Sequence, residues 1–133
     1  MAAAGRFTLG KEERICSKKL MDSLFGSGSS KALTAFPLRA VFMEADREAG
    51  DPQVQMLVSV PKRYFKRAVM RNRVKRQVRE AFRHQKDILS EAMKERQTRK
   101  LAVAFVWLDT HLHASEAVSQ RVANLLMRIG ERL

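Results

Sequence analysis

The spacing of hydrophobic residues predicts a short helix and two strands in the first half of the chain. The helix is expected to begin at Ser17 and to end in the glycine-rich stretch 26–31. Strands are predicted at 36–43 and 54–60. Side chains alternate between the two faces of a strand. In the first strand this places Phe36, Leu38, Ala40 and Phe42 on one face, and Pro37, Arg39, Val41 and Met43 on the other.

The second half of the chain predicts two helices separated by a buried strand. A long helical stretch covers about 65–96, and a second helix with an apolar stripe covers about 115–132. The stretch 101–108 between them is almost wholly apolar, which is typical of a central strand covered on both faces. The order helix, strand, strand, helix, strand, helix predicts an α+β fold, a single-domain sandwich of one sheet with packed helices.

Composition supports one domain and a nucleic-acid partner. The chain has 133 residues, of which 45% are apolar, so we expect a loose tail at 1–10 and one packed domain at 11–133. A single cysteine, Cys16, and the absence of a secretory signal pattern favour a reducing, cytoplasmic location. The formal net charge of +12 indicates a polyanionic partner, with nucleic acid ahead of an anionic membrane surface.

Most of the positive charge lies in the stretch 62–83, which has ten basic residues and only one acidic residue, Glu80. On a helix, Val74, Val78, Ala81 and Phe82 gather on one face. The opposite face collects Asn72, Arg76, Arg79, Arg83 and Lys86. A solvated surface helix usually mixes charges of both signs, whereas like charges at this spacing destabilise the helix. A bound nucleic acid therefore explains this face better than a membrane or a plain solvated surface. The sequence gives Arg71, Arg76 and Arg79 no apparent partners that would stabilise the fold.

Candidate catalytic groups are lacking. The three histidines, at 84, 111 and 113, show no metal-binding pattern and are expected to be solvated. Trp107 is expected in the core, and the sequence contains no apparent catalytic triad or paired-carboxylate constellation. We therefore predict no catalytic or metal-binding residues in this chain.

The basic stretch resembles the RNR signature of the bacterial ribonuclease P protein family. The resemblance is carried by Arg67, Arg71, Asn72, Arg73, Lys75, Arg76, Arg79, Glu80, Phe82 and Arg83. Flanking segments also resemble the family, including the strand end 59–62, the first helix with its glycine loop at 14–28, and the first strand at 36–39. The resemblance covers about residues 8–130.

The resemblance implies a fold and a function. The fold would be ribosomal-protein-S5-domain-2-like, with one mixed sheet and a left-handed crossover at the basic helix. The chain would be the RNA-binding protein subunit of an endoribonuclease, ribonuclease P, whose RNA subunit is catalytic. It would assist that RNA in removing the 5′ leader from precursor tRNA. Mg²⁺ would be held mainly by the RNA, and this chain alone would bind no cofactor.

Two sets of site residues follow from the resemblance and the charge pattern. The predicted contacts with the catalytic RNA are Lys62, Lys66, Arg67, Arg71, Asn72, Arg73, Lys75, Arg76, Arg79 and Arg83. The predicted cleft for the precursor tRNA leader, between the first helix and the sheet, contains Met21, Phe25, Phe36, Leu38 and Arg39. Many relatives have an aromatic residue at the position of Met21, and some have Tyr at that of Arg39.

Two alternatives stay open at the level of sequence. A structural RNA-binding protein, such as a ribosomal protein of similar fold, would also have a basic helix. A protein-only nuclease would need clustered carboxylates to hold metal ions. The acidic residues at 46, 48 and 51 and those at 91 and 95 show no obvious convergence in the sequence.

Overall fold

The computed structural model describes residues 14–15, 18–26, 28 and 30–133. Within that part of the chain, the helices are α1 (Lys18–Gly26), α2 (Ala68–Gln85), α3 (Asp87–Met93) and α4 (Ser115–Arg132), and the strands are β1 (Lys31–Ala35), β2 (Leu38–Asp46), β3 (Val54–Ser59) and β4 (Arg99–Trp107). The predicted tail at 1–10, the helix start at Ser17, and Cys16 lie outside the described residues.

The four strands form one mixed sheet in the order β1-β2-β4-β3. β1 pairs with β2, and β2 with β4, in antiparallel fashion, whereas β3 and β4 are parallel. Phe36 and Pro37 form the turn between β1 and β2, in which Ala35 pairs with Leu38. Helices α2 and α3 connect the parallel strands β3 and β4. The α+β class with a mixed sheet is confirmed. The handedness of this connection and the ribosomal-protein-like detail stay predictions.

Side-chain alternation in the central strands divides the core into two layers. In β2, Leu38 and Phe42 belong to the larger layer, which also contains the buried residues of α2, α3 and α4. Val41 of the same strand belongs to the smaller layer, together with Leu24 of α1. β4 contributes to both layers, so the prediction of a central strand covered on both faces is confirmed. Trp107 is fully buried in the larger layer, as predicted.

Two elements differ from the predictions. Strand β1 was not predicted, because its residues are mostly exposed at the edge of the sheet and only Leu33 is buried. The single helix predicted at 65–96 is two helices, with Lys86 between them. Leu89 and Met93 of α3 are buried in the same layer as the apolar face of α2, so the apolar pattern continues across the break and did not reveal it. Among the described helices, none combines the length and apolar character needed to cross a membrane.

Candidate nucleic-acid interface

Helix α2 is fixed to the domain by one apolar face. Val74, Val78, Ala81 and Phe82 are buried, as their spacing predicted. The ring of Phe82 meets that of Phe105 on β4 edge to face, with ring centroids 6.1 Å apart, a favourable aromatic geometry. Because this face is anchored in the core, the opposite face of α2 is directed to solvent as a rigid surface.

The most exposed stripe of α2 runs through Asn72, Arg73 and Arg76, and Lys62, Lys66 and Arg67 are exposed just before the helix. Lys75 and Arg79 are half-buried along the sides of this stripe. We call the six cations Lys62, Lys66, Arg67, Arg73, Lys75 and Arg76 the basic surface. Within the described residues, none of the six forms an ion pair. A cationic surface without internal counter-charges is the arrangement that favours a bound polyanion.

Arg83 differs from the other predicted contacts because it has an ion-pair partner on its own helix. Its guanidinium donates to the carboxylate of Glu80, and His84 Nε2 lies 3.0 Å from the same carboxylate. These hydrogen bonds, that from Arg83 first, lower the pKa of Glu80. The charge of Arg83 is therefore partly neutralised within the helix, and its contact with RNA stays a prediction.

Arg71 is a structural residue as well as a candidate contact. Its Nη1 donates to the carbonyl oxygens of Phe65 and Lys66, each at 2.8 Å. The expectation that Arg71 has no partners in the fold is therefore wrong. Sequence spacing could not reveal these bonds, because they depend on how the loop before α2 folds back beside the helix.

Several contacts fix the conformation of the loop between β3 and α2. Phe65 is buried in the larger core layer, and the backbone N–H of Tyr64 donates to the carbonyl of Pro61 at 3.1 Å. The guanidinium of Arg63 lies over the ring of Tyr64, 5.0 Å from its centroid, within the range of a cation–π contact. The backbone that carries Lys62 and Lys66 is therefore held in place by these contacts.

A groove separates α2 from the start of α4. The side-chain amide of Gln77 donates at 3.0 Å to the carbonyl of His113 and at 3.0 Å to Ser115 Oγ, which links the two segments. The groove has a volume of about 450 Å³ and is lined by Arg73, Arg76, Gln77, Glu80 and Ser115. Two cations of the basic surface therefore face a concave site rather than a flat one. The sequence did not indicate this groove, since it depends on the packing of α2 against α4.

The residues predicted to form the leader cleft differ in exposure and do not all contact one another. Arg39 is exposed on the face of β2 that carries α1, and Met21 of α1 is half-buried against the smaller core layer. Phe25 and Phe36 are 55% and 57% exposed, and their two rings make no contact with each other in the described part of the chain. Both aromatic side chains are therefore surface residues rather than core residues.

Leu38 is not a cleft residue. It is 0% exposed and lies in the larger core layer, on the opposite face of the sheet from α1. The prediction followed the position of the first strand in the resemblance, and it assigned both Leu38 and Arg39 to the cleft although their side chains lie on opposite faces of the strand. Because side chains alternate along β2, the neighbouring Arg39 faces the α1 side instead.

A cavity of about 480 Å³ lies between α1 and the sheet, beside the C-terminal end of β2 and the connection that leads to β3. Its lining includes the acidic residues Asp46, Glu48 and Asp51. Two of these carboxylates form ion pairs with basic side chains. Asp46 Oδ1 lies 2.6 Å from Arg99 Nη1, and Asp51 Oδ2 lies 3.0 Å from Lys100 Nζ, which lowers the pKa of Asp51. Across the described residues, no group of three or more His, Cys, Asp or Glu side chains is placed to hold a metal ion.

Comparison with known proteins gives one consistent family. The family model described as Ribonuclease P matches residues 9–129. A ribonuclease P protein component from Porphyromonas gingivalis is 38% identical over 130 residues, which cover 98% of this chain and 92% of the relative. A second relative of that name, from Idiomarina loihiensis, is 38% identical over 74 residues, covering 56% of this chain and 55% of the relative.

Solved structures agree at the level of the fold. The Staphylococcus aureus RNase P protein superposes with a TM-score of 0.60 at 13% identity, covering 90% of this chain and 95% of the other. The Thermotoga maritima RNase P protein gives 0.61 at 20% identity, with 84% and 94% covered. Together with the family match and the near full-length relative, these similarities show that the chain belongs to the ribonuclease P protein family.

Proposed function

We propose that this chain is the protein subunit of a cytoplasmic ribonuclease P and binds the catalytic RNA through the basic surface. The observation that carries the proposal is that the six cations of this surface form no ion pair within the described residues. Family membership supports the RNA subunit of the same enzyme as this polyanion.

The chemistry of the surface suits RNA. Arginine can direct two hydrogen bonds at one phosphate and can also stack on a base. Asn72, exposed between Arg71 and Arg73, adds a neutral donor and acceptor for a sugar or a base edge. Because the apolar face of α2 is buried, these groups are positioned before the RNA arrives, which reduces the entropy cost of binding.

The protein supplies positioning, and we place the hydrolysis of the phosphodiester on the RNA subunit with Mg²⁺ held mainly by that RNA. The leader of the precursor tRNA would contact the α1 side of the sheet. Phe25 and Phe36 expose enough ring surface to stack on unpaired bases, and Arg39 supplies a cation on the same side as α1.

The test is reconstitution with a cognate ribonuclease P RNA and a precursor tRNA. The purified chain alone should not produce the mature 5′ end, whereas it should stimulate the RNA at low magnesium. The double variant Arg73→Ala/Arg76→Ala should lose this stimulation while remaining folded. Magnesium-dependent cleavage at the mature 5′ end by RNA-free protein would contradict the proposal.

The RNA that copurifies with the chain separates this function from that of a ribosomal or other structural RNA-binding protein. We expect ribonuclease P RNA to be enriched over ribosomal RNA at moderate salt. Enrichment of ribosomal RNA alone would favour the structural role instead.

A further inference from the structure

The segment before α1 extends the sheet beyond β3. The backbone N–H of Ile15 donates to the carbonyl of Met56 at 2.9 Å, and Arg14 forms a parallel bridge with the same residue of β3. The side chain of Ile15 is buried in the smaller core layer, whereas Arg14 is exposed. The backbone pairing and the buried neighbour therefore hold Arg14 at a defined place on the outer edge of the sheet.

Arg14 lies on the α2 side of the sheet, because its bridge partner Met56 belongs to the larger core layer that contains the buried face of α2, and Arg79 is on that helix. Arg79 is half-buried, and its burial, followed by repulsion from Arg14, lowers the pKa of the Arg79 guanidinium. Within the described part of the chain, neither arginine forms an ion pair with a carboxylate. Two like charges from distant parts of the sequence are thus brought together with no anion of the described chain to offset their repulsion.

We propose that Arg14 belongs to the RNA-binding surface and that it holds one phosphate of the catalytic RNA together with Arg79. This inference rests on the proposed function and adds to it a contact from a segment outside the basic helix. Two guanidinium groups on one phosphate form charge-assisted hydrogen bonds, and the anion removes the repulsion between them. The phosphate would join the edge of the sheet to α2, and Arg14 lies just before the helix that carries Met21 and Phe25.

The first experiment measures affinity for a cognate ribonuclease P RNA as a function of salt. It compares Arg14→Ala, Arg79→Ala and the double variant with the wild-type chain. Each neutralised phosphate contributes roughly 0.7–0.9 to the slope of log affinity against log salt. If the two arginines share one phosphate, the double variant should lose about that amount, and each single variant should lose less because the other arginine remains.

Two outcomes of this experiment would overturn the proposal. If Arg14→Ala binds like the wild type, and the double variant binds like Arg79→Ala, then Arg14 is not part of the surface. If the two single losses are full and add in the double variant, the arginines contact separate phosphates. Arg132→Ala is the matched control, since Arg132 is exposed beside β1 and β2, at the other edge of the sheet from β3.

Charge reversal gives a readout that a purely structural role would not produce. Arg14→Glu should raise the unfolding midpoint of the RNA-free protein, because the repulsion from Arg79 becomes an attraction. The same variant should bind the RNA more weakly than Arg14→Ala. A parallel loss of stability and affinity would instead make Arg14 a structural residue and would overturn the proposal.

Arg73→Ala and Arg76→Ala separate this inference from the proposed function. If these two variants flatten the salt slope and the Arg14 variants do not, only the shared phosphate site is wrong. If none of the variants changes the slope, the RNA-binding surface itself is wrongly placed and both proposals fail.

Discussion

Arg71 Nη1 donates a hydrogen bond of 2.8 Å to the carbonyl oxygen of Phe65, a residue that is itself buried in the core. The same nitrogen lies 2.8 Å from the carbonyl oxygen of Lys66. One cation therefore ties the first turn of α2 to the loop that precedes it. The RNR signature thus includes a residue that builds the surface in addition to residues that are available to bind RNA.

Replacement of Arg71 should destabilise the free protein. Arg71→Ala removes two hydrogen bonds to backbone carbonyls, and we expect a loss of about 1–2 kcal/mol in the free energy of unfolding. Urea unfolding followed by circular dichroism measures this loss. Arg73→Ala is the matched control, because Arg73 is exposed without an ion-pair partner in the described chain and should change stability by less than about 0.5 kcal/mol. Equal stability of the two variants would contradict the structural role of Arg71.

Arg73→Ala and Arg76→Ala should weaken RNA binding without unfolding the protein. Each replacement removes a charge from the basic surface, so each lost phosphate contact should flatten the slope of log affinity against log salt by roughly 0.7–0.9. Filter binding to a cognate ribonuclease P RNA over a range of salt concentrations measures the slope. Unchanged slopes for both variants would mean that RNA binds elsewhere.

The control for this experiment is Val78→Ala. Val78 is fully buried on the opposite face of α2, so its truncation should cost about 1–3 kcal/mol of stability. At a temperature where the variant is still folded, its salt slope should equal that of the wild type.

Phe25→Ala and Phe36→Ala should selectively weaken binding of the leader. Both rings are more than half exposed, so stability should change little, whereas stacking on a base contributes roughly 1–3 kcal/mol. The measurement compares the affinity of the reconstituted enzyme for precursor tRNA with and without a leader. An equal loss of affinity for the two substrates would remove these rings from the leader site.

Leu38→Ala distinguishes the two faces of β2. Leu38 is fully buried in the larger core layer, so its truncation should cost about 2–5 kcal/mol of stability. It should not discriminate between substrates with and without a leader when measured below the unfolding transition. A leader-specific defect at unchanged stability would restore Leu38 to the cleft.

Asp109 should make stability depend on pH in the acid range. His113 Nε2 lies 2.7 Å from Asp109 Oδ2, and this hydrogen bond, followed by that from His111, lowers the pKa of Asp109 to about 2 from an ordinary value of 3.8. A carboxyl group with a lowered pKa in the folded state stabilises the fold above its unfolded pKa. This contribution should therefore be lost as the pH falls from about 4 to about 2.

Urea midpoints measured across that pH range test the role of Asp109. Asp109→Asn should flatten the decline in stability between about pH 4 and pH 2 relative to the wild type. Asp22→Asn, which replaces an exposed carboxylate on α1, is the control. An Asp109→Asn profile that ran parallel to the wild-type profile would contradict the prediction.

The sequence alone was enough to predict the α+β class, the buried face of α2 and the run of cations that forms the basic surface. The reason is that these features depend on local periodicity. Apolar residues spaced for a helix mark its buried side wherever the helix packs, and Val74, Val78 and Phe82 are buried as predicted. The run of cations in 62–83 likewise needed no knowledge of the fold to indicate a polyanion.

Features that depend on pairing between distant segments could be seen only in the folded structure. β1 has a weak apolar pattern because it lies at the exposed edge of the sheet. It still forms a strand because pairing with β2 supplies its hydrogen bonds. Leu38 cannot line the cleft because α1 packs on the opposite face of the sheet. Arg71 finds its hydrogen-bond partners because the loop before α2 folds back beside the helix. The pairing of the N-terminal segment with Met56 brings Arg14 close to Arg79. Each of these relationships depends on long-range contacts, and local spacing carries no information about which distant residues will meet.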